Sequence, residues 1–432
     1  MVQRGKAWLA ALAAAVWTAG CSLLPGENGS SGPSGPAGTP PKVSAGRQAG
    51  QKPGHAAAGH GTSGGGAGRQ TAGGTVFGPG SGAGAAGGSG MERGTGAVVP
   101  KPPAPAEHLV PYNGPVQHIF FHPLIAYPAR AFDHPATDKQ MIGMNDWMIT
   151  VSEFDKILQA LYQDHFILID IHLLYQVKQQ GGRTVVVPRQ LMLPKGKKPL
   201  ILSIDDMNYY EYMVQYGCVS RLVVDKQGRI GALSIGPGGK PVVRYDDEIV
   251  PILDGFVAKH PDFSFHGAKG MIDLTGYEGV LGYRTDEITA KNYPQVRAQA
   301  TRLIQALKRD GWTFASHSYG HLNEEAISYA KFVNDTERWL REVEPLTGPT
   351  DVYVYPFGGH LPVGSDKFQF LVHAGFHVIC SVGPTTYVQW TPQALLMDRR
   401  HIDGVALHEE PKDLADLFDA SKVIDPARPD VY

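Results

Sequence analysis

A sharp change in composition near residue 106 limits the part of this 432-residue chain that can fold into a compact domain. Before it, the sequence consists mainly of Gly, Ser, Ala and Pro with scattered basic residues. Such a sequence cannot bury enough apolar surface to offset the conformational entropy that folding removes. We therefore expect residues 22–106 to form a disordered linker, either a tether or an inert spacer, and residues 107–432 to form one folded domain.

The first 21 residues have the features of an export signal. Arg4 and Lys6 supply positive charge, and residues 7–16 form an apolar run that is too short to span a bilayer. The small residues before Cys21 resemble a bacterial lipobox, although Thr18 stands where Leu is usual. We expect the chain to be exported and anchored to the membrane, on its extracytoplasmic side, through a lipid on Cys21. The alternative is an ordinary secretory signal followed by an incidental cysteine.

The remaining charge and cysteine content is unremarkable for a globular domain. A net charge of -2 gives no support for a nucleic-acid partner. Cys218 and Cys380 are the cysteines after the signal, and two cysteines do not make a disulfide framework in a domain of this size. We interpret both as buried free thiols, with a disulfide between them as the alternative.

Apolar runs typical of strands alternate with amphipathic segments typical of helices throughout the folded domain. The predicted strands are 117–121, 166–169, 200–204, 312–315, 352–355 and 376–381, and the predicted helices are 248–259, 293–309, 331–344 and 368–373. A further helix begins at Ser152 with a capping box to Asp155, a hairpin covers 221–234, and a strand begins at Phe263. This alternation is typical of an α/β fold with parallel strands.

Polar residues follow several predicted strands directly. Asp205 and Asp206, His317, and the segment Pro356–Gly358 each stand just beyond a strand. Parallel barrels collect their functional groups at the face formed by the carboxyl ends of the strands. The pattern therefore favours a distorted (β/α) barrel, with eight strands or fewer, over an open doubly wound sheet.

Three pairs of histidines are spaced four residues apart. They are His118 and His122, His317 and His321, and His373 and His377. The first pair lies on a strand, where four residues span about 13 Å, and the last is separated by a helix-ending glycine. Only the middle pair opens a turn after a strand, where both imidazoles can reach one metal ion.

The adjacent carboxylates of Asp205 and Asp206 complete this candidate site. Two carboxylates at the end of an apolar strand repel each other unless a cation is present or a proton is shared. One of them can bind a metal ion while the other accepts a proton from water. Two histidines and one carboxylate leave coordination positions open for water and substrate.

Three motifs in this order resemble the polysaccharide deacetylase family (carbohydrate esterase family 4). They are Ser203-Ile204-Asp205-Asp206, His317-Ser318-Tyr319-Gly320-His321 and Tyr355-Pro356-Phe357-Gly358. The resemblance extends over most of residues 115–405. With Phe121-His122 on the opening strand, it is similar to the extracellular branch of the family, here in the form of a lipoprotein.

The resemblance implies a barrel fold, a divalent metal ion and the removal of acetyl groups from sugars. Carried over, it makes Asp205 the catalytic base. The implied metal ligands are Asp206, His317 and His321, with Zn²⁺ as the expected ion. The implied residues of the substrate groove are Tyr355, Pro356, Phe357 and Gly358, where a backbone N–H can help to stabilise an oxyanion.

The chain departs from the family pattern around this core. Met207 stands where Gly usually follows the aspartates, and Val354 stands where an arginine usually orients the base. A clear motif for the catalytic acid is also missing. Our hypothesis is that Arg400 replaces the arginine and that His401, oriented by Asp403, acts as the acid; the alternative is a solvated charge run at the end of a strand.

These patterns predict a hydrolase that acts on carbon–nitrogen bonds other than peptide bonds. The expected activity is deacetylation of N-acetylated sugars in peptidoglycan or an extracellular polysaccharide by a monomeric enzyme. One alternative is a catalytically impaired lipoprotein that only binds glycan on the same fold. Another is a different metal hydrolase on the same barrel, because a fold does not determine its substrate.

Overall fold

The computed structural model describes residues 108–236 and 238–429. The export signal, the lipidation site Cys21 and the linker 22–106 that we predict lie outside these described residues. Within the described ranges, no helix is both long enough and apolar enough to cross a lipid bilayer.

Short strands and helices alternate along the described chain. The strands are β1 (Leu109–Pro111), β2 (Gln117–Phe121), β3 (Phe166–Leu168), β4 (Tyr175–Gln180), β5 (Arg183–Pro188), β6 (Met192–Pro194), β7 (Lys198–Asp205), β8 (Arg221–Val224), β9 (Ile230–Ile235), β10 (Pro241–Arg244), β11 (Met271–Leu274), β12 (Thr313–Ser316), β13 (Val352–Val354), β14 (Val378–Val382), β15 (Tyr387–Trp390) and β16 (Leu395–His401). The helices are α1 (Pro128–Phe132), α2 (Lys139–Trp147), α3 (Val151–Gln163), α4 (Glu211–Gln215), α5 (Ile249–Lys259), α6 (Tyr293–Arg309), α7 (Tyr329–Glu342), α8 (Glu344–Thr347), α9 (Asp366–His373), α10 (Gly404–His408) and α11 (Ala420–Val423). Short 3-10 turns cover Ile171–Leu173, Pro261–Phe263, Phe265–Gly267, Pro356–Gly358 and Pro411–Leu414.

Seven of these strands form a closed parallel barrel. Its order is β2, β7, β11, β12, β13, β14 and β16, and β16 pairs with β2 to complete the ring. The pairing of β7 with β11 places Asp205 opposite Asp273. The antiparallel hairpin β4–β5 and the three-stranded sheet β8–β9–β10 stand apart from the barrel sheet. The predicted distorted (β/α) barrel is therefore confirmed, and it has seven strands.

Alternation along each strand separates two apolar layers. Leu202 and Ile204 on β7 point outward and pack in the largest apolar cluster together with residues of α3, α5 and α6. Ile201 on the same strand belongs to a second cluster, formed by inward-facing residues such as Val354 and Met397. Because successive side chains point to opposite faces, Asp205 shares the inward direction of Ile201. The strand pattern thus places this carboxylate inside the mouth of the barrel.

Two local predictions were wrong in position. The strand that we expected from Phe263 begins at Met271, because 3-10 turns occupy Pro261–Phe263 and Phe265–Gly267 before it. The capping box of α3 uses Thr150, which accepts a hydrogen bond from the backbone of Glu153, rather than Ser152 and Asp155. The predicted hairpin near 221–234 is confirmed as β8 and β9.

The two cysteines of the folded domain are buried and free, as we predicted. Cys380 points into the barrel from β14, and Cys218 packs near Met148 in a separate apolar cluster. The alternative of a disulfide between them is therefore contradicted.

Candidate metal centre

Asp206, His317 and His321 come together at the mouth of the barrel. Asp206 follows β7, and both histidines belong to the segment that follows β12. One potential ligand atom from each side chain lies within 4.8 Å of the other two, and all three residues are buried. Among the described residues, this is the one group of three His, Cys, Asp or Glu side chains with such spacing. The three predicted metal ligands are therefore brought to one point.

The two histidines present suitable nitrogen atoms to this point. His317 Nδ1 lies 3.0 Å from the carbonyl oxygen of Val354, which orients the ring and leaves Nε2 to face the site. His317 Nε2 is 3.7 Å from Asp205 Oδ2, and His321 Nε2 is 3.7 Å from Asp206 Oδ2. Burial lowers the pKa of His317 to about 4 and that of His321 to about 3. Both imidazoles are therefore neutral at pH 7, as metal ligands must be.

The carboxylate of Asp206 is held by a neighbouring hydroxyl group. Tyr210 donates a hydrogen bond to Asp206 Oδ1 at 2.7 Å, and the same hydroxyl lies 2.7 Å from the hydroxyl of Thr275. Burial raises the pKa of Asp206. A cation bound beside this carboxylate would oppose that effect, because a nearby positive charge favours the ionised form. The donor set therefore fits a divalent ion.

Backbone strain is concentrated around the same point. Asp206, His321 and Phe357 have φ angles of 56°, 47° and 57°, in the left-handed region that side chains disfavour. Each such residue costs about 1–2 kcal/mol. Strain of this kind persists where the surrounding structure over-determines it, which is common at functional sites.

Asp205 is hydrogen-bonded to a buried arginine. Arg399 on β16 donates two hydrogen bonds to it, from Nη1 to Oδ1 at 2.6 Å and from Nη2 to Oδ2 at 2.9 Å. Burial alone would raise the pKa of Asp205, but the Arg399 guanidinium lowers it well below the ordinary value. Asp205 is consequently ionised and fixed in orientation, with its Oδ2 3.7 Å from His317 Nε2.

The hypothesis that Arg400 orients Asp205 was wrong by one residue. The Arg400 guanidinium instead binds Gln117 at 3.0 Å and Asp416 at 2.7 Å. Successive residues of β16 point to opposite faces, so Arg399 enters the barrel while Arg400 leaves it. Both arginines are visible in the sequence, but only the direction in which each side chain leaves β16 distinguishes Arg399 from Arg400.

His401 lies between two carboxylates, one of which is the predicted partner. Its Nδ1 is 2.8 Å from Asp403, and its Nε2 is 2.9 Å from Glu410. Burial alone would lower the pKa of His401, but Asp403 and Glu410 raise it to about 10. An efficient general acid has a pKa near the working pH, so this geometry favours a structural role over the acid role that we predicted.

This carboxylate–imidazolium cluster predicts a pH-dependent contribution to stability. The folded pKa of His401 exceeds the unfolded value of about 6.5, so the stabilisation is complete below that pH and is lost as the pH rises towards 10. We expect His401→Gln to lower the free energy of unfolding by about 2 kcal/mol at pH 6, and by much less at pH 9.5. Urea denaturation at both pH values measures this. An equal loss at both would contradict it, and His373→Gln, at the exposed end of α9, is the control.

Sequence reasoning missed His122 as a member of the site. It follows the end of β2, and it lies close enough to interact electrostatically with Asp205, Asp206 and His321. Its pair partner His118 lies deeper in the barrel, with Nε2 2.6 Å from the hydroxyl of Ser203. The sequence feature that could have identified His122 is its position just after a barrel strand.

The third motif contributes only part of the predicted substrate groove. Tyr355 and Pro356 are buried, and Tyr355 packs in the apolar cluster beneath α9, so it does not face the site and that prediction was wrong. Phe357 and Gly358 are half-buried, and the Phe357 ring lies 4.5 Å from the His321 ring. Ser381 donates a hydrogen bond to the carbonyl oxygen of Gly358 or of Gly359 and so holds this loop in place.

Comparisons with known proteins complete the description of the site. No protein-family model and no curated protein matches the chain. Among solved structures, it is similar to a Streptococcus pyogenes deacetylase in complex with acetate (14% identity, 73% of this chain and 100% of that chain, TM-score 0.39). It is also similar to a Bacillus cereus polysaccharide deacetylase (14%, 67% and 65%, 0.37) and to a Streptomyces lividans family 4 carbohydrate esterase in complex with acetate (14%, 36% and 74%, 0.21). The chain therefore spans less than two thirds of the Bacillus cereus protein.

Proposed function

We propose that this chain is a metal-dependent hydrolase that removes acetyl groups from N-acetylated sugars of a cell-wall or extracellular polysaccharide. The observation that carries the proposal is the juxtaposition of Asp206, His317 and His321 with an ionised, arginine-bound Asp205. The order of the three motifs supports the choice of an acetylated sugar as substrate. The export signal that we predict from the sequence supports a substrate outside the cytoplasm.

Each group of the site has a defined part in this reaction. Asp206, His317 and His321 would hold a divalent ion, which would supply Lewis acidity at an acetyl carbonyl and at a water molecule. Asp205, whose carboxylate Arg399 keeps ionised and correctly aimed, would accept the proton of the attacking water and pass it to the sugar nitrogen as the C–N bond breaks, so that acetate and a free amine leave. The Phe357 ring beside His321 forms a wall on one side of the position open to substrate.

The site also bears on the alternative of a lipoprotein that only binds glycan. Binding alone gains nothing from a base, and a buried Arg399–Asp205 pair is costly to desolvate. A structure that maintains this pair beside three metal ligands therefore favours hydrolysis over binding alone. The arginine that seemed to be missing from the sequence is supplied by β16, which removes one argument for an impaired enzyme.

Acetate release tests the proposal directly. The purified chain loaded with Zn²⁺ is incubated with acetylated chitooligosaccharides and with peptidoglycan, and free acetate is measured. We expect release from at least one of them, its loss after chelation, and its return when Zn²⁺ is added back. Chelation should not unfold the domain, because its apolar core does not depend on the ion. If the chain binds Zn²⁺ and glycan but releases no acetate, the binding module is the correct function.

A further inference from the structure

Arg399 has a second buried carboxylate partner that no role described so far explains. Asp273, on β11, accepts a hydrogen bond from Arg399 Nη1 at 3.0 Å. Both Asp273 and Arg399 are 0% exposed to solvent. A buried polar group is costly unless it is hydrogen-bonded, so an extra buried carboxyl group at a crowded site needs a physical reason.

The strand register places Asp273 directly beside Asp205. The two residues are partners on the neighbouring strands β7 and β11, and both side chains enter the barrel. Arg399 reaches them from β16, which is separated from β7 by β2. The Arg399 guanidinium lies over the ring of Phe120, with its carbon 4.2 Å from the ring centroid. The arginine therefore spans the barrel interior to serve two adjacent carboxylates.

The contacts around the guanidinium fix it on three sides. Asp205 engages Nη1 and Nη2, Asp273 engages Nη1 from the neighbouring strand, and Phe120 covers one face. If Asp205 were its only partner, the Arg399 guanidinium could rotate about that carboxylate, since an arginine side chain has several rotatable bonds. The contact from Asp273 removes this freedom because it approaches from a different strand.

We propose that Asp273 is a positioning residue, which holds the Arg399 guanidinium so that both of its terminal nitrogens grip Asp205 and aim that carboxylate at the metal ligands. Asp273 acts through Arg399. This inference deepens the proposed function, and the kinetic effects that it predicts rest on that function. The geometry of the hydrogen bonds between Arg399 and Asp205 is independent of the proposed function.

Kinetics of a simple chromogenic acetyl ester, p-nitrophenyl acetate, test the proposal without depending on the glycan. For the Zn²⁺-loaded chain we expect Asp273→Ala, which removes the acceptor, to lower kcat about 10- to 100-fold and to change KM by less than about threefold. In an Arg399→Lys background, the same substitution should cost less than about threefold, because its effect passes through the arginine. Asp254→Ala is the matched control, because Asp254 is a shielded carboxylate paired with Lys269 away from the site, and we expect kcat within about twofold of the unchanged chain.

A crystal structure of the Asp273→Ala protein supplies a readout that is independent of activity. We expect the Arg399 guanidinium to turn, so that one of its two hydrogen bonds to Asp205 is lost. An unchanged pair of hydrogen bonds between Arg399 and Asp205, a kcat equal to that of Asp254→Ala, or effects of Asp273 and Arg399 that simply multiply would each overturn the proposal. If Asp273→Ala does not fold, Asp273→Leu, which fills the space without an acceptor, serves in the same measurements. Failure of the proposed function is a different result, namely no acetate from any glycan with the unchanged chain.

Discussion

Asp205→Asn and Asp206→Asn, at adjacent positions, are expected to fail in different ways. Asp206→Asn should weaken Zn²⁺ binding roughly 100-fold or more, because it replaces one of three ligands and removes the negative charge that attracts the ion. Asp205→Asn should retain Zn²⁺ and lower kcat for acetate release by about 10²- to 10⁴-fold, because asparagine cannot accept the proton. The two substitutions are equally conservative in shape.

Zn²⁺ affinity and kcat, measured on both variants, separate the two roles. Zn²⁺ titration against a competing chelator gives the affinity, and the acetate assay at saturating Zn²⁺ gives kcat. The assignment would be reversed if Asp205→Asn lost the ion and Asp206→Asn kept it. His321→Ala provides a matched loss of a ligand from a different segment, and we expect its affinity to fall as that of Asp206→Asn does.

Arg399→Lys should lower kcat about 10²- to 10³-fold, whereas Arg400→Ala should leave it within about twofold. Lysine keeps the positive charge between Asp205 and Asp273 but cannot make the two parallel hydrogen bonds that fix Asp205. The buried Arg400 side chain binds Gln117 and Asp416 on the outside of the barrel, so its loss leaves the hydrogen bonds between Arg399 and Asp205 in place. Arg400→Ala is thus the control for Arg399→Lys.

Thermal unfolding and kinetics together decide this comparison. Arg399→Lys should fold, because the buried charge is retained, and its defect should appear in kcat with little change in the metal affinity. We expect Arg400→Ala to lose about 1–3 kcal/mol of stability, because the buried side chain is removed and Gln117 and Asp416 lose their hydrogen bonds to it. A loss of activity in Arg400→Ala that matches that of Arg399→Lys would show that the outer arginine matters to the site and would contradict the assignment.

The sequence was sufficient for the fold class and for the three residues that meet as candidate metal ligands. Alternating strands and helices predicted the barrel, and the position of Asp206, His317 and His321 just beyond strands predicted their meeting. Both inferences work because parallel strands collect their carboxyl ends at one face, whatever the details of packing. The histidine pairs were separated by the same local reasoning, since strand geometry alone keeps His118 from sharing an ion with His122.

The groups around the ligands were harder to predict, and each error has a physical cause. Choosing Arg400 over Arg399 required the phase of β16, and a shift of one residue exchanges the two faces of a strand. Placing Tyr355 in the groove required its direction too, and it faces outward into the core beneath α9. Asp273 was missed because its strand is only four residues long and follows two irregular turns.

Sequence by itself determined the fold class, five of the seven barrel strands and the three residues that come together as candidate metal ligands. Tertiary structure alone decided which arginine grips Asp205 and which carboxylate stands beside it. The reason is that local periodicity and strand ends are encoded by neighbouring residues. The partnership of Arg399 with Asp205 and Asp273, by contrast, joins positions 194 and 126 residues apart through the closure of the barrel.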